Sequence, residues 1–264
     1  MNTALSLLAI TLYAIATVLL WQEIRQGHAR YKLALLLGVG AMFCHGTASF
    51  VGMITPAGMN LRLTEMSVLI SWFVVMITLI SGMLRPLLNI LVVIFPFTAA
   101  VLIITLLVDT PARLLTQPGG MMFHIILSVL SYSVLTIAAI QAIALAIQEY
   151  RLKHHQLRGI LKALPPLVTM EEMLFELVLI GFVLLTLSIG TGLFYVDDLF
   201  AQHLVHKTAF TLVAWACFGI LLIGRHRMGW RSRTAIRWTL CAFALLLLGY
   251  VGSKFVLEVL LHRI

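Results

Sequence analysis

The chain has 264 residues, of which 61% are hydrophobic and 11% charged, and its formal net charge is +8. Soluble domains carry about 25% charged residues, so this composition, with a mean hydropathy of +1.06, excludes an ordinary water-soluble fold and makes lipid the main solvent. The basic residues fall between apolar runs, which is the pattern of loops kept in the cytoplasm rather than of a nucleic-acid binder.

Eight apolar runs are long enough to cross a bilayer, at about 3–21, 33–54, 66–84, 88–108, 121–147, 173–195, 205–224 and 235–261. Each spans roughly 30 Å as a helix, and the runs are far too long for barrel strands. Only helices or closed barrels satisfy the backbone in lipid. The expectation is therefore an all-α polytopic membrane bundle of eight transmembrane helices, forming one integral membrane domain over 1–264. The first run has no basic residues before it, so it reads as a retained span rather than a cleaved signal.

With the N-terminus outside, the inner connections hold 13 of the 18 Lys and Arg: Arg25, Arg30, Lys32, Arg85, Arg151, Lys153, Arg158, Lys162, Arg225, Arg227, Arg231, Arg233 and Arg237. This bias places both termini on the outer side of the membrane. The outer connections 55–65, 109–120 and 196–204 are short. The longest inner connection, about 148–172, runs from a basic segment through Pro165-Pro166 to Thr169-Met170-Glu171-Glu172. That tetrad reads as a capping box for the sixth span, with its glutamates at the positive helix end.

From Ala209 to Gly224 the chain is too continuously apolar for a soluble amphipathic helix. It ends in the dense basic turn Arg225-His226-Arg227-Met228-Gly229-Trp230-Arg231-Ser232-Arg233. Cys44, Cys217 and Cys241 all lie in apolar runs, are odd in number and form no CxxC, which argues against a disulfide framework.

Nine histidines stand out in so apolar a chain. Neutral imidazole is a good ligand for iron and a common axial ligand of haem, and ionisable residues at membrane depth are functional candidates. His124 lies one turn into the fifth run, with Ser128, Ser131 and Tyr132 at i+4, i+7 and i+8 on one face. The stripe suits a ligand oriented by hydroxyls, or a helix contact held by serines. His262 closes the eighth run, where Glu258 can fix its tautomer; a snorkelling helix end is the alternative. His124 and His262 are at one depth on two different runs, as a bis-histidine haem requires. His203 and His206 are a less ordered outer pair. His45 sits mid-run with Gly38, Ala41, Ala48, Ser49 and Gly52 on or near its face, open to a flat macrocycle or to a neighbouring helix. His226 lies among arginines at the inner end of the seventh run. His45 is roughly 18 Å deep, so pairing it with His226 requires tilt. His154 and His155 read as solvated neighbours of a basic run.

Lys207-Thr208-Ala209-Phe210-Thr211-Leu212-Val213-Ala214-Trp215, followed by the basic turn, resembles the CcsA-type cytochrome c assembly proteins, whose pattern is a KETWxLxTW-like run, an aromatic span and YLHxRxxxGWRG. Met122-Phe123-His124-Ile125, Ser131-Tyr132-Ser133, Gln148-Glu149-Tyr150-Arg151-Leu152-Lys153 and the segment from Gly252 to His262 are similar to the same family. The likeness covers about 121–262. Pro165-Pro166-Leu167 and Thr191-Gly192-Leu193-Phe194-Tyr195 are nearest to its bacterial inner-membrane YpjD subgroup; HemX-like proteins match more loosely. The resemblance implies haem b as cofactor, with His124 and His262 as outer ligands and His226, with His45, at a transmembrane haem site. The departure is at Tyr195 to His203, where synthases of this family carry a tryptophan-rich WWD motif and this chain has no tryptophan. No catalytic residue is assigned.

Three functions stay open. The first is a haem-handling membrane protein that does not itself attach haem. The second is a regulatory or scaffolding subunit that meets a membrane or cytoplasmic protein partner through the basic inner connections. The third is a small-molecule or ion transporter, for which Glu176, Gln141 and Asn89 are the only intramembrane support.

Overall fold

The computed structural model describes residues 3–26, 30–84, 90–108, 114–115, 119–154, 165–195 and 205–252. Eight α-helices occur among them: α1 (Thr3–Gln26), α2 (Tyr31–Met53), α3 (Leu63–Leu84), α4 (Leu91–Leu107), α5 (Met121–Lys153), α6 (Leu167–Tyr195), α7 (Val205–Met228) and α8 (Ser232–Leu247). A π-helical segment, Leu248–Gly252, continues α8. Seven of the eight helices are long and apolar enough to cross a membrane; α4 is a shorter apolar helix with Pro96 inside it. Exposed Leu36, Phe43, Leu107 and Phe194 illustrate surfaces made for lipid rather than water.

The chain divides into two compact units, Met1–Thr116 with Arg151–Pro165, and Gln117–Tyr150 with Pro166–Ile264. In the first, α1 packs on α2 and α4, and α3 packs on the same two helices, which closes a four-helix ring. Its seam is built from small residues. Ala9 and Ala16 on α1, and Ala34, Ala41 and Ala48 on α2, are fully buried at seven-residue spacing. Small side chains let membrane helices approach closely, where dispersion takes the place of hydrophobic driving force. The buried face of α2 is Ala34, Gly38, Ala41, His45, Ala48, Ser49 and Gly52, which contains the face expected from spacing.

Two features depart from expectation. The connections after α2 and α4 hold a small antiparallel sheet of β1 (Ile54–Thr55), β2 (Gly58–Asn60) and β3 (Leu114–Leu115). Thr55 pairs with Gly58 across Pro56-Ala57, and its hydroxyl donates to the Gly58 carbonyl at 2.6 Å. Gly58, at φ 129°, supplies backbone closed to other residues. Strands of two or three residues are too short to leave a periodicity. Second, α6 begins at Leu167, so Thr169 lies inside the helix and does not cap it. Pro166 stands just before the first helical residue, and its carbonyl accepts from Met170 N–H at 3.1 Å. Proline suits a helix start because its fixed φ is already helical and its missing N–H would be unpartnered there.

In the second unit, α6 packs on α7 and α8, and α7 on α8. Every residue of α5 from Ser131 to Ala142 is buried.

Candidate functional site

Three polar side chains of α5 donate to main-chain carbonyls of α6. His124 Nδ1 lies 2.9 Å from the Ser188 oxygen, Ser131 Oγ 3.1 Å from that of Gly181, and Gln141 Nε2 3.1 Å from that of Met170. Positions rise on one helix as they fall on the other, so these are rungs of an antiparallel ladder. In lipid a polar side chain must find its partner inside the protein, and here the carbonyls of the neighbouring helix accept from all three.

The top rung fixes the chemistry of His124. A carbonyl only accepts, so Nδ1 carries the proton and Nε2 keeps its lone pair. No partner for Nε2 occurs among the described residues. Ligating histidines characteristically donate their other N–H to a carbonyl or carboxylate in this way, which sets the tautomer and the ring orientation. Around the ring, Ser128 Oγ donates to the His124 carbonyl at 2.7 Å and meets Ser188 Oγ at 2.7 Å. Thr191 Oγ1 stands 3.5 Å from Nδ1. Gly192 makes room: a Cβ there would lie 3.0 Å from Cε1 and 3.2 Å from Nδ1. The ring is half-buried, neither sealed in the interior nor loose in solvent.

The opposite end of α6 is built from charge. Glu171 pairs with Arg225 of α7 at 2.7 Å and accepts the Ser232 N–H at 3.1 Å. Glu149 of α5 accepts from Ser232 Oγ and from Arg233 Nε, each at 2.7 Å. Arg225 also donates to the Trp230 carbonyl at 3.2 Å and lies over the Phe175 ring at 4.6 Å. The α7–α8 turn needs left-handed backbone at Gly229 (φ 65°) and Ser232 (φ 39°). A Cβ at Gly224 would collide with the Trp230 ring folded over it. Glu171 therefore caps α8 from another helix, which its position in a supposed capping box concealed. Neither glutamate stood out in the sequence as a clamp.

The remaining candidates are placed as follows. His45 is fully buried in the first unit; its Nε2–H donates to the Val68 carbonyl at 3.1 Å and its Nδ1 faces Tyr13 OH at 3.3 Å, so both ring nitrogens are engaged. His226 is exposed in the last turn of α7. Ser188 and Glu171 mark the two ends of α6, roughly 25 Å apart at helical rise, so His124 and His226 belong to opposite ends of the second unit. His262, His203, His155 and Asn89 lie outside the described residues, as does the segment 196–204. The pairing of His124 with His262 thus has one described member. Among the described residues no three His, Cys, Asp or Glu converge on a metal, and Cys44, Cys217 and Cys241 are free thiols.

The residues at His124 fit an iron-bearing macrocycle as a single-ligand contribution: a neutral imidazole with a fixed tautomer, an open Nε2 and glycine beside it. His45 fits less well, because ligation there would break one of its two hydrogen bonds.

The family profile described as Cytochrome C assembly protein matches residues 2–261. The chain is 31% identical over 264 residues to the inner membrane protein YpjD of Escherichia coli K12, covering 97% of this chain and 98% of that one. It is 35% identical over 140 residues to an uncharacterized 28.8 kDa protein of Azospirillum brasilense, 52% of each chain. To the protein HemX of Brevibacillus brevis it is 26% identical over 131 residues, 49% of this chain and 48% of that one. No solved structure matches.

Proposed function

This chain belongs to the cytochrome c assembly protein family, and on that premise we propose that it is a multi-pass protein of the bacterial inner membrane that holds haem b without attaching it to another protein. The observation that carries the reading is the His124 rung, with Nδ1–H committed to Ser188 and Nε2 left as a lone pair. Haem, when bound, supplies the iron and its redox chemistry; the protein supplies ligands, burial and orientation. The Nε2 lone pair of His124 would ligate the iron, Ser188 and Thr191 would hold the ring, and Gly192 would keep the approach clear. His262 is the proposed second ligand at this site, on the side that the Lys and Arg bias makes periplasmic, together with both termini. His45 serves as a packing histidine of the first unit, and His226 stays a candidate for a second site at the basic end. The departure from the WWD pattern at 195–203 supports holding haem rather than presenting it for attachment.

An absorbance spectrum of the purified protein, oxidised and dithionite-reduced, tests this. A Soret band and reduced α-bands that disappear in His124→Ala are expected. A wild-type protein from haem-replete cells with no Soret band overturns the reading.

A second reading is favoured by the basic turn. Exposed Arg227, Arg231 and Arg237 stand beside a segment held rigid by Glu171 and Glu149, which suits a regulatory or scaffolding surface for an acidic partner. Co-purification of a partner that survives loss of His124 but not neutralisation of these arginines would support it.

A further inference from the structure

The first unit holds a carboxylate that the haem reading leaves unused. Glu65 stands in the first turn of α3 with its side chain 1% exposed, and its Oε1 accepts from Arg62 Nε at 3.2 Å and Nη2 at 2.7 Å. Its other oxygen, Oε2, is sealed from solvent and has no partner among the described residues. The carboxylate rests on Gly52 of α2, where any Cβ would collide with it. One turn along the same buried face is Ser49, 2% exposed, whose Oγ is also without a partner among the described residues. The next turn is His45, bonded to the Val68 carbonyl of α3, and beyond it Trp72 Nε1 donates to the Met42 carbonyl at 2.9 Å. These contacts set the register of two antiparallel helices. Ser49 falls between the Gly52–Glu65 and His45–Val68 contacts, so the two orphaned oxygens are neighbours across the α2–α3 seam.

Both oxygens break the habit of the chain. Hydroxyls in apolar helices return to a carbonyl three or four residues back, as those of Thr17, Thr47, Ser71, Thr78 and Ser133 do here. Ser49 forgoes that bond. A carboxylate oxygen only accepts, and a buried ion pair is stable only when its remaining lone pairs are also bonded. The group that fits is therefore a small donor. Arg62 already balances the carboxylate, so a further cation would leave a positive charge unpaired in a buried site. An acyl chain brings no donor at all.

We propose that the first unit binds an internal water that bridges Glu65 Oε2 and Ser49 Oγ, at the end where α2 gives way to α3. Buried waters join otherwise unsatisfied polar groups in this way, with about two to four partners each. The water donates to Oε2 and bonds Ser49 with its second proton or a lone pair. The ion pair of α3 is thereby tied to the His45 face of α2 through a neutral group.

The test uses the purified full-length protein. A map of the wild type at a resolution that shows ordered solvent should place a peak within hydrogen-bonding distance, about 2.7–3.2 Å, of both oxygens. Detergent melting curves give a second readout whose sign decides. Truncating a hydroxyl that truly lacks a partner leaves the melting temperature unchanged or raises it. Ser49→Ala should instead lower it by about 2–4 °C, because the water loses a partner. Ser71→Ala, equally buried but bonded within α3, should shift it less. An unchanged or raised melting temperature in Ser49→Ala overturns the water site. A map with Ser49 Oγ directly on Oε2, or with no solvent peak between them, does the same without any substitution.

Discussion

In the first unit His45 engages both ring nitrogens with the protein, one with Val68 and one with Tyr13; in the second unit His124 engages one, with Ser188. Both rings lie within apolar helices. The difference is made by what faces the second nitrogen: a tyrosine hydroxyl inside a ring of four helices, or no described group, beside a glycine. An imidazole with both nitrogens bonded works as a strut that ties three segments together. One bonded only through Nδ1 is a base with a fixed direction. Burial alone therefore does not separate the two rings; the count of their partners does.

The comparison breaks most sharply by truncating each ring. His124→Ala should abolish the haem spectrum while shifting the thermal melt little, since the ring is half-buried. His45→Ala should do the reverse, retaining the spectrum but costing about 3 kcal/mol of stability from the cavity and two abandoned partners, read from a detergent melting curve. If His45→Ala loses the spectrum and His124→Ala does not, the two roles must be exchanged.

Glu171→Gln comes next, at about 2–3 kcal/mol, because it leaves Arg225 without its partner at a site where the carboxylate is only 9% exposed. Glu149→Gln should cost at most about 1 kcal/mol, since Arg233 is 61% exposed. Melting curves of the two variants should separate in that order. Gly192→Ala is smaller still for stability but specific for His124. Its Cβ presses on the imidazole and should weaken haem binding several-fold, about 1 kcal/mol, in a Soret titration. Tyr13→Phe removes one hydrogen bond from His45 and should cost about 1 kcal/mol with no spectral effect.

Much of the architecture was legible because lipid imposes a simple rule. An apolar run long enough to cross must be a helix, and the runs coincide with the helices to within a few residues at most ends. The buried face of α2 followed from spacing alone. What was not legible depends on partners remote in the chain. Tyr13 is 32 residues from His45 and Val68 is 23, and no local pattern announces either. Ser128 was visible as a neighbour of His124, yet the group that sets the tautomer is Ser188, 64 residues away. The glutamates misled for the opposite reason. Thr169 to Glu172 has the form of a local cap, but Pro165-Pro166 had already started the helix, which freed Glu171 to reach another one.

That reach has a consequence for how the chain is made. The amide of Ser232 is closed by a carboxylate 61 residues earlier and its hydroxyl by one 83 residues earlier. The first turn of α8 thus leaves the ribosome incomplete and gains these acceptors only once α5 and α6 are in place. The order of that turn is therefore a property of the assembled second unit and not of its own local sequence.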